Sequence, residues 1–225
     1  MSTLLALDTA TEACSVALLH DGQVLSHYEV IPRLHAQRLL PMIQGLLAEA
    51  GISLSAVDAL AFGRGPGAFT GVRIAVGVVQ GLAFALERPV LPVSTLATIA
   101  QRARREQAVE QVAVAIDARM DEVYWACYRA QGEDMQLAGI EAVLPPEQVS
   151  LPRDAAGSWF GAGTGWRYAE RLAVRPSRCD ASLLPHAEDL LSLARHAWAR
   201  GEAVAAEQAQ PIYLRDNVAT PKVER

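Results

Sequence analysis

Short apolar runs separated by polar turns open the chain. Leu4–Leu7 and Cys14–Leu19 flank the polar turn Asp8–Glu12, and a second turn, His20–Gln23, leads into further apolar residues. Apolar runs bounded by turn-forming residues are typical of β-strands, and Asp-Gly favours the positive φ of a tight hairpin. The pattern therefore predicts antiparallel hairpins at the start of the protein.

The same arrangement recurs in the second half of the chain. Val112–Ile116 and Val123–Tyr128 flank the acidic turn Asp117–Glu122, and Gln131 and Gly132 form the next turn. Each hairpin is followed by a strand that runs into a glycine-rich turn and then a helix. The first copy comprises Val57–Phe62, Gly63–Gly67 and a helix from about Thr70, and the second comprises Ser158–Phe160, Gly161–Gly165 and a helix from Trp166.

Two matched elements in matched order predict a duplicated α/β fold. A tandem pair of such halves, each with a mixed sheet flanked by helices, is the layout of the actin-like and sugar-kinase-like (ASKHA) fold. The predicted N-terminal half covers residues 1–105 and carries the helices described next. The C-terminal half covers residues 106–225, and its last helix is expected to pack back on the first half.

Two helices of the first half are more apolar than packing on one sheet requires. They are predicted over about His35–Ala50 and Thr70–Leu86, and the second is apolar nearly all round. Gly77 and Gly81, one turn apart, would let another helix come close. Burial in the chain's own core also explains such residues. We favour an external helical interface, because a small half-domain has too little sheet to cover both helices.

Composition and charge narrow the class of protein. The 225 residues are 51% hydrophobic and carry a formal net charge of -5, which does not match the phosphates of nucleic acid. The three cysteines have no paired spacing, which suits a reducing compartment. The longest apolar stretch is interrupted by Arg73 and Gln80 and is shorter than the ~20 residues that span a bilayer. We expect a cytoplasmic protein without membrane contact.

The glycine turn Gly63–Gly67 has three interpretations. It is a structural turn, an anion or partner contact at the start of a helix, or a dinucleotide site. A dinucleotide site is disfavoured, because Pro66 removes one amide and the turn does not stand in the opening βαβ unit that such a site requires. The turn is not a P-loop, because no Gly-Lys-Ser/Thr follows it.

Each of the two hairpin aspartates, Asp8 and Asp117, has two interpretations. Each carboxylate could hold a magnesium ion through water, or it could cap its own turn. Phosphate-binding hairpins of this superfamily normally have glycine after the aspartate, whereas Thr9 and Ala118 stand here. Turn capping is therefore favoured. The candidate anion or nucleotide contacts are Asp8, Thr9, Gly65, Gly67 and Asp117.

No metal site and no catalytic residue is predicted. The five histidines lack ligand spacing, and no Ser, Cys or Thr has a sequence-adjacent general base.

Several motifs resemble those of a bacterial family. They are Leu5-Ala6-Leu7-Asp8-Thr9-Ala10-Thr11-Glu12-Ala13-Cys14-Ser15-Val16-Ala17-Leu18, Gly65-Pro66-Gly67-Ala68-Phe69-Thr70-Gly71-Val72-Arg73-Ile74, Asp117-Ala118-Arg119 with Glu122-Val123-Tyr124, and Pro211-Ile212-Tyr213-Leu214-Arg215. These segments, spread over nearly the whole chain, resemble the TsaB (YeaZ) family, and the glycine–proline run is highly specific.

The resemblance implies a subunit of the machinery that makes threonylcarbamoyladenosine beside the anticodon of tRNA. In that family the paralogue TsaD transfers the group, TsaE supplies ATPase activity and TsaC supplies the adenylate. The TsaB subunit is a non-catalytic scaffold that pairs with TsaD through two N-terminal helices and forms homodimers when alone. No cofactor is expected to bind tightly, because ATP and Mg are used through partner subunits. Contact with tRNA is expected only through the complex.

The resemblance places the partner contacts on the two apolar helices. The residues assigned to them are His35, Leu39, Met42, Ile43, Leu46, Thr70, Arg73, Val76, Gly77 and Gln80. TsaD carries a metal-binding His-x-x-x-His motif, and Thr95 and Ile99 stand at those positions here. Two alternatives to a scaffold stay open: an ATP-dependent phosphotransferase that uses Asp8 and Asp117, and a metal-dependent peptidase.

Overall fold

The computed structural model describes residues 2–153 and 156–215. Its strands are β1 (Leu4–Asp8), β2 (Ala13–His20), β3 (Gln23–Val30), β4 (Ala59–Gly63), β5 (Val90–Val93), β6 (Gln111–Arg119), β7 (Glu122–Gln131), β8 (Asp134–Leu137), β9 (Ala142–Leu144), β10 (Phe160–Ala162) and β11 (Arg178–Asp180). Its α-helices are α1 (His35–Ala50), α2 (Phe69–Leu86), α3 (Thr95–Gln107) and α4 (Ala187–Ala199).

The two sheets repeat one topology. The first has the strand order β3-β2-β1-β4-β5, and the second has β11-β10-β6-β7-β8 with β9 also paired to β7. In each sheet two antiparallel pairings join the first three strands, and the last two strands run parallel to the first. The predicted duplicated actin-like fold, with a mixed sheet flanked by helices in each half, is therefore confirmed.

Both faces of the first sheet are covered. Leu5 and Leu7 of β1 point into a core with α1 and α2, whereas Leu4 and Ala6 point into a core with α4. Because successive side chains of a strand alternate between the two faces, the continuous apolar run of β1 reflects burial on both sides. The second sheet is built in the same way, with α3 on one face and a tryptophan-rich cluster on the other.

Two helices pack across the predicted division of the chain between residues 105 and 106, and one of them is the last helix, for which the sequence predicts packing on the first half. α3 lies before this division, yet Leu96 and Ile99 pack with Val112 and Val114 of the second sheet. α4 comes from the second half, yet its apolar side packs on the first sheet. Each half therefore contributes a helix to the core of the other.

The helix predicted from Trp166 is wrong. The chain forms a short 3-10 helix over Thr164–Tyr168 and then a series of turns. The Arg175 guanidinium donates hydrogen bonds to the carbonyls of Leu172, Val174 and Glu170. These side-chain donors occupy carbonyls that a continuing α-helix would use, and Pro176 ends the segment.

α2 is the one helix in the described ranges that is long and apolar enough to cross a membrane, with 18 residues and a mean hydropathy of 1.7. Core helices of soluble proteins share these properties, and Val72, Ala75 and Val79 of α2 are buried against the first sheet. This observation is weak evidence for a membrane span.

Candidate functional site

The outward-facing side of α2 consists mainly of small and apolar residues. Its inward face packs on the sheet, and the outer face is formed by Thr70, Arg73, Ile74, Gly77, Val78, Gly81, Leu82, Phe84 and Ala85. Phe84 is 58% exposed, although a phenylalanine usually contributes to a core. Arg73 is the helix's one charged residue. We call these nine residues the α2 outer face.

Gly77 and Gly81 have no packing function within the chain. A Cβ built on either glycine meets nothing within 4 Å. A glycine inside a helix costs about 0.5–1 kcal/mol relative to alanine, so α2 is destabilised twice with no compensating internal contact. Bare backbone at this spacing suits the close approach of another chain.

The predicted partner-contact residues divide into two groups. Thr70, Arg73 and Gly77 are exposed on the α2 outer face, and Gln80 is half-buried with its side-chain amide donating to the carbonyl of Ala209 at 2.8 Å. The other six, His35, Leu39, Met42, Ile43, Leu46 and Val76, are buried.

The structure places the side chains of those six residues inside this chain rather than on its surface. Leu39 and Leu46 are 0% exposed and pack in the core between α1, α2 and the first sheet. The sheet is wide enough to take up the whole apolar side of α1, contrary to the expectation from the size of the half-domain. α1 leaves Leu40 at 45% exposure and its neighbour Pro41 on the surface.

An aromatic and cationic cluster forms the N-terminal end of the α2 outer face. The Arg73 guanidinium carbon lies 3.5 Å from the centroid of the Phe69 ring, and Arg73 Nε donates to the hydroxyl of Tyr213 at 2.7 Å. The Phe69 and Tyr213 rings are 5.7 Å apart and tilted. Sequence reasoning did not assign Phe69 or Tyr213, because only the return of residues 209–215 along α2 brings Tyr213 to this helix.

The glycine turn is packed against the first hairpin. A Cβ at Gly63 would lie 1.9 Å from Asp8 Oδ2, one at Gly67 would lie 2.3 Å from the Ala10 carbonyl, and one at Gly71 would lie 2.0 Å from the Thr9 carbonyl. Glycine is required at these positions because a Cβ would collide with the carboxyl group of Asp8 at Gly63 and with backbone carbonyls at Gly67 and Gly71. The geometry supports the structural interpretation of the turn, because the β1–β2 loop packs directly against Gly63 and Gly67.

Asp8 caps its own turn and is closed off from solvent. Its Oδ1 accepts from the amide of Ala10 at 2.9 Å, while Oδ2 is buried without a hydrogen-bond partner in the described part of the chain. Burial raises the pKa of this carboxyl to about 7, although the amide of Ala10 opposes the shift. A carboxyl in this position is poorly placed to hold a magnesium ion for a substrate.

Asp117 also caps its turn and is neutralised by arginines. Its Oδ1 accepts from the amide of Arg119 at 3.0 Å, and its carboxylate pairs with the guanidinium groups of Arg167 and Arg119. It lines a cleft of about 570 Å³ between the two halves. Of the predicted anion contacts, Asp117 and Gly67 line this cleft, whereas Asp8, Thr9 and Gly65 are buried outside it.

Residues that sequence reasoning missed also line the cleft. They include Arg119, Arg167, Tyr124, Tyr213 and Arg215. Arg215 is fully engaged, because it pairs with Glu122 and donates to the carbonyls of Ala118 and Arg119. No local signal marks Arg167 as a neighbour of Asp117, since 50 residues separate them.

Residues 2–153 and 156–215 contain no group of three or more His, Cys, Asp or Glu residues that could hold a metal ion. Thr95 and Ile99, which the resemblance matches to metal-binding histidines, are both 0% exposed in the N-terminal part of α3. Their side chains pack inside the protein and cannot ligate a metal in place of imidazoles.

Fold and site together define a class: a duplicated actin-like protein whose first hairpin aspartate is closed off from solvent and whose helix α2 exposes apolar residues on its outer face. The family model described as TsaD, tRNA N6-adenosine threonylcarbamoyltransferase, matches residues 27–223. The tRNA threonylcarbamoyladenosine biosynthesis protein TsaB of Escherichia coli (strain K12) is 49% identical, with 98% of this chain and 97% of that protein covered. The TsaB of Haemophilus influenzae is 44% identical with the same coverage.

A solved structure agrees with these relatives. YeaZ from Pseudomonas aeruginosa superposes with a TM-score of 0.93 at 77% identity, covering 95% of this chain and 100% of that one. The chain belongs to the TsaB (YeaZ) family.

Proposed function

We propose that this chain is a non-catalytic scaffold subunit in the biosynthesis of threonylcarbamoyladenosine in tRNA, and that it works in the cytoplasm by docking to a TsaD-type paralogue. The observation that carries the proposal is the pair of glycines at the centre of the α2 outer face. They lower the stability of the free subunit and have no internal contact. A second helix packed over them would bury the surrounding apolar side chains.

The proposed partners follow from the family. TsaD pairs with this subunit, TsaE acts on the pair, and ATP with Mg is used by those subunits rather than by this one. Alone, the chain forms a homodimer through the same helix, and tRNA is contacted only through the complex. Two observations support a non-catalytic role: Asp8 is buried, and Asp117 is paired with two arginines. The phosphotransferase alternative depends on these two aspartates and is therefore disfavoured.

Substitution at Gly77 tests the docking face. Gly77→Arg places a long charged side chain on the α2 outer face, where no atom of this chain would clash with its Cβ. We expect stability equal to or above that of the wild type and a loss of binding to the TsaD paralogue of at least about 100-fold, because the helices can no longer approach and a charge would be buried without a partner.

The measurement is isothermal titration calorimetry with the purified paralogue, and thermal unfolding reports the stability of each variant. Ala199→Arg is the matched control, since it adds the same side chain to an exposed position of another helix, α4. If folded Gly77→Arg binds the paralogue as tightly as the control does, the α2 outer face is not the docking surface.

A further inference from the structure

The α2 outer face carries one charged side chain, Arg73, which contacts aromatic rings instead of a carboxylate in the described residues. Arg73 is the helix's one charged residue, and the other eight residues of the face are apolar, small or a hydroxyl. In the described part of the chain its guanidinium contacts Phe69 and Tyr213 and pairs with no carboxylate. Of the arginines that line the neighbouring cleft, the other three each pair with Asp117 or Glu122.

The contacts of Arg73 hold the guanidinium in a fixed orientation. Phe69 stacks on its plane at 3.5 Å, and the Tyr213 hydroxyl takes the Nε hydrogen at 2.7 Å. The two terminal nitrogens keep their donors. A guanidinium whose plane is fixed in this way loses little conformational freedom when it binds a carboxylate through both terminal nitrogens.

Docking a partner over α2 would remove water from Arg73. A guanidinium that loses its water without gaining an acceptor weakens the complex strongly, whereas one that gains a carboxylate contributes to affinity and register. The partner that fits this face therefore combines an apolar helix with an acidic side chain placed against Arg73.

A second copy of this chain lacks that acidic side chain on the same face. α2 has no Asp or Glu from Phe69 to Leu86, and Glu87 lies beyond its C-terminal end. On α1, Glu49 is the one acidic residue, and its carboxylate already contacts His27 Nε2 at 2.9 Å. In a symmetric pairing through α1 and α2, these two helices would therefore supply no free carboxylate to either Arg73.

We infer that Arg73, oriented by Phe69 and Tyr213, is a specificity-determining residue of the docking face, which binds a carboxylate of the TsaD-type paralogue and thereby favours that partner over a second copy of this chain. The inference rests on the proposed function, because it requires the paralogue to dock on α2. It adds the chemistry of the partner's contact and a reason for the exchange of a homodimer for a mixed complex.

The test compares both assemblies in the same set of variants. Arg73→Ala is expected to weaken binding to the paralogue by about 10- to 100-fold in calorimetry, and to leave the homodimer as tight as the wild type or tighter in sedimentation, because it removes a charge that the homodimer leaves unpaired. Tyr213→Phe keeps the ring on Phe69 but releases Arg73 Nε, so a smaller loss toward the paralogue is expected. Arg178→Ala is the matched control, because Arg178 is an exposed arginine beside an aromatic ring, Phe160, on the second sheet.

Charge reversal identifies the contacting residue. Arg73→Glu should abolish most binding to the paralogue. Replacing one acidic residue on the paralogue's docking helices by arginine should then raise the affinity for the Arg73→Glu variant by at least about tenfold. Equal losses in the homodimer and the mixed complex after Arg73→Ala, or a loss no larger than that of Arg178→Ala, would overturn the inference. The proposed function fails separately, if the wild-type chain does not bind the paralogue or if Gly77→Arg leaves binding intact.

Discussion

A carboxylic acid sits in the core of the first half without a counterion. Asp8 is 0% exposed, one oxygen accepts a single backbone hydrogen bond, and the other faces the Cα of Gly63. Removing a carboxylate from water is costly unless it is paired, and the group responds by keeping its proton to higher pH. Asp8 is therefore a buried carboxyl of the core, with one oxygen that has no hydrogen-bond partner in the described residues.

Asp8 makes the stability of the protein depend on pH. Its pKa is raised from 3.8 to about 7, so the folded state keeps a proton that the unfolded chain releases. The contribution of Asp8 to the free energy of unfolding is therefore largest below about pH 4. It falls as the pH rises through 7, by up to about 4 kcal/mol from this group.

Asp8→Asn should remove that dependence. The amide stays neutral at every pH, so the stability of the variant relative to the wild type should rise by up to about 4 kcal/mol between pH 4 and pH 8. Urea unfolding at a series of pH values measures this difference. Asp21→Asn, at an exposed hairpin position, is the control that should leave the pH profile unchanged. Parallel profiles for wild type and Asp8→Asn would show that Asp8 titrates normally.

At the scale of elements, α2 contains glycines with opposite functions. Gly71 lies where the helix backbone meets the carbonyl of Thr9, at a distance that excludes any Cβ. Gly77 and Gly81, farther along the same helix, face open space. The first glycine allows the helix to pack inside the chain, and the other two leave room for packing outside it.

Replacing glycine by alanine should therefore change the stability of the protein in opposite directions at two positions of α2. Gly71→Ala is expected to lower the free energy of unfolding by about 3 kcal/mol or more, because the Thr9 carbonyl belongs to a fixed loop. Gly77→Ala is expected to raise it by about 0.5–1 kcal/mol through helix propensity alone. Denaturant unfolding of both variants distinguishes these outcomes. Destabilisation by Gly77→Ala would show that this position already packs within the free subunit.

The elements were largely predictable from local patterns, whereas the contacts of the site were not. The apolar runs on either side of the polar turns at Asp8 and Asp117 indicated both hairpins. The apolar periodicity of α1 indicated the bounds of that helix. Whether α1 faced a partner or a sheet depended on the width of that sheet, which no local pattern encodes. Phe69 and Arg73 are near each other in sequence, but Tyr213 joins them only through the path of the chain after α4.

At the scale of the whole molecule, the two halves share a polar network. Glu141, from the second half, accepts hydrogen bonds from Ser94 and, at 2.8 Å, from the hydroxyl of Tyr128. Its other oxygen pairs with Arg64 of the glycine turn at 3.2 Å. Burial and the neighbouring Glu141 raise the pKa of Tyr128 well above its usual value, so the phenol stays a donor. This network joins the turn before α2 to the second sheet.

The network predicts an energetic coupling between the halves. Glu141→Ala should lower the free energy of unfolding by about 2–4 kcal/mol, because it leaves Tyr128 and Arg64 without their acceptor in a mostly buried site. In a double-mutant cycle, Arg64→Ala and Glu141→Ala should show a coupling of about 1–3 kcal/mol. Arg171 and Asp121 form a solvent-exposed pair in the second half and serve as the control, with an expected coupling below about 1 kcal/mol. Additive effects of Arg64→Ala and Glu141→Ala would mean that the ion pair does not hold the halves together. The contact between the halves would then depend on α3, which packs on the second sheet, and α4, which packs on the first.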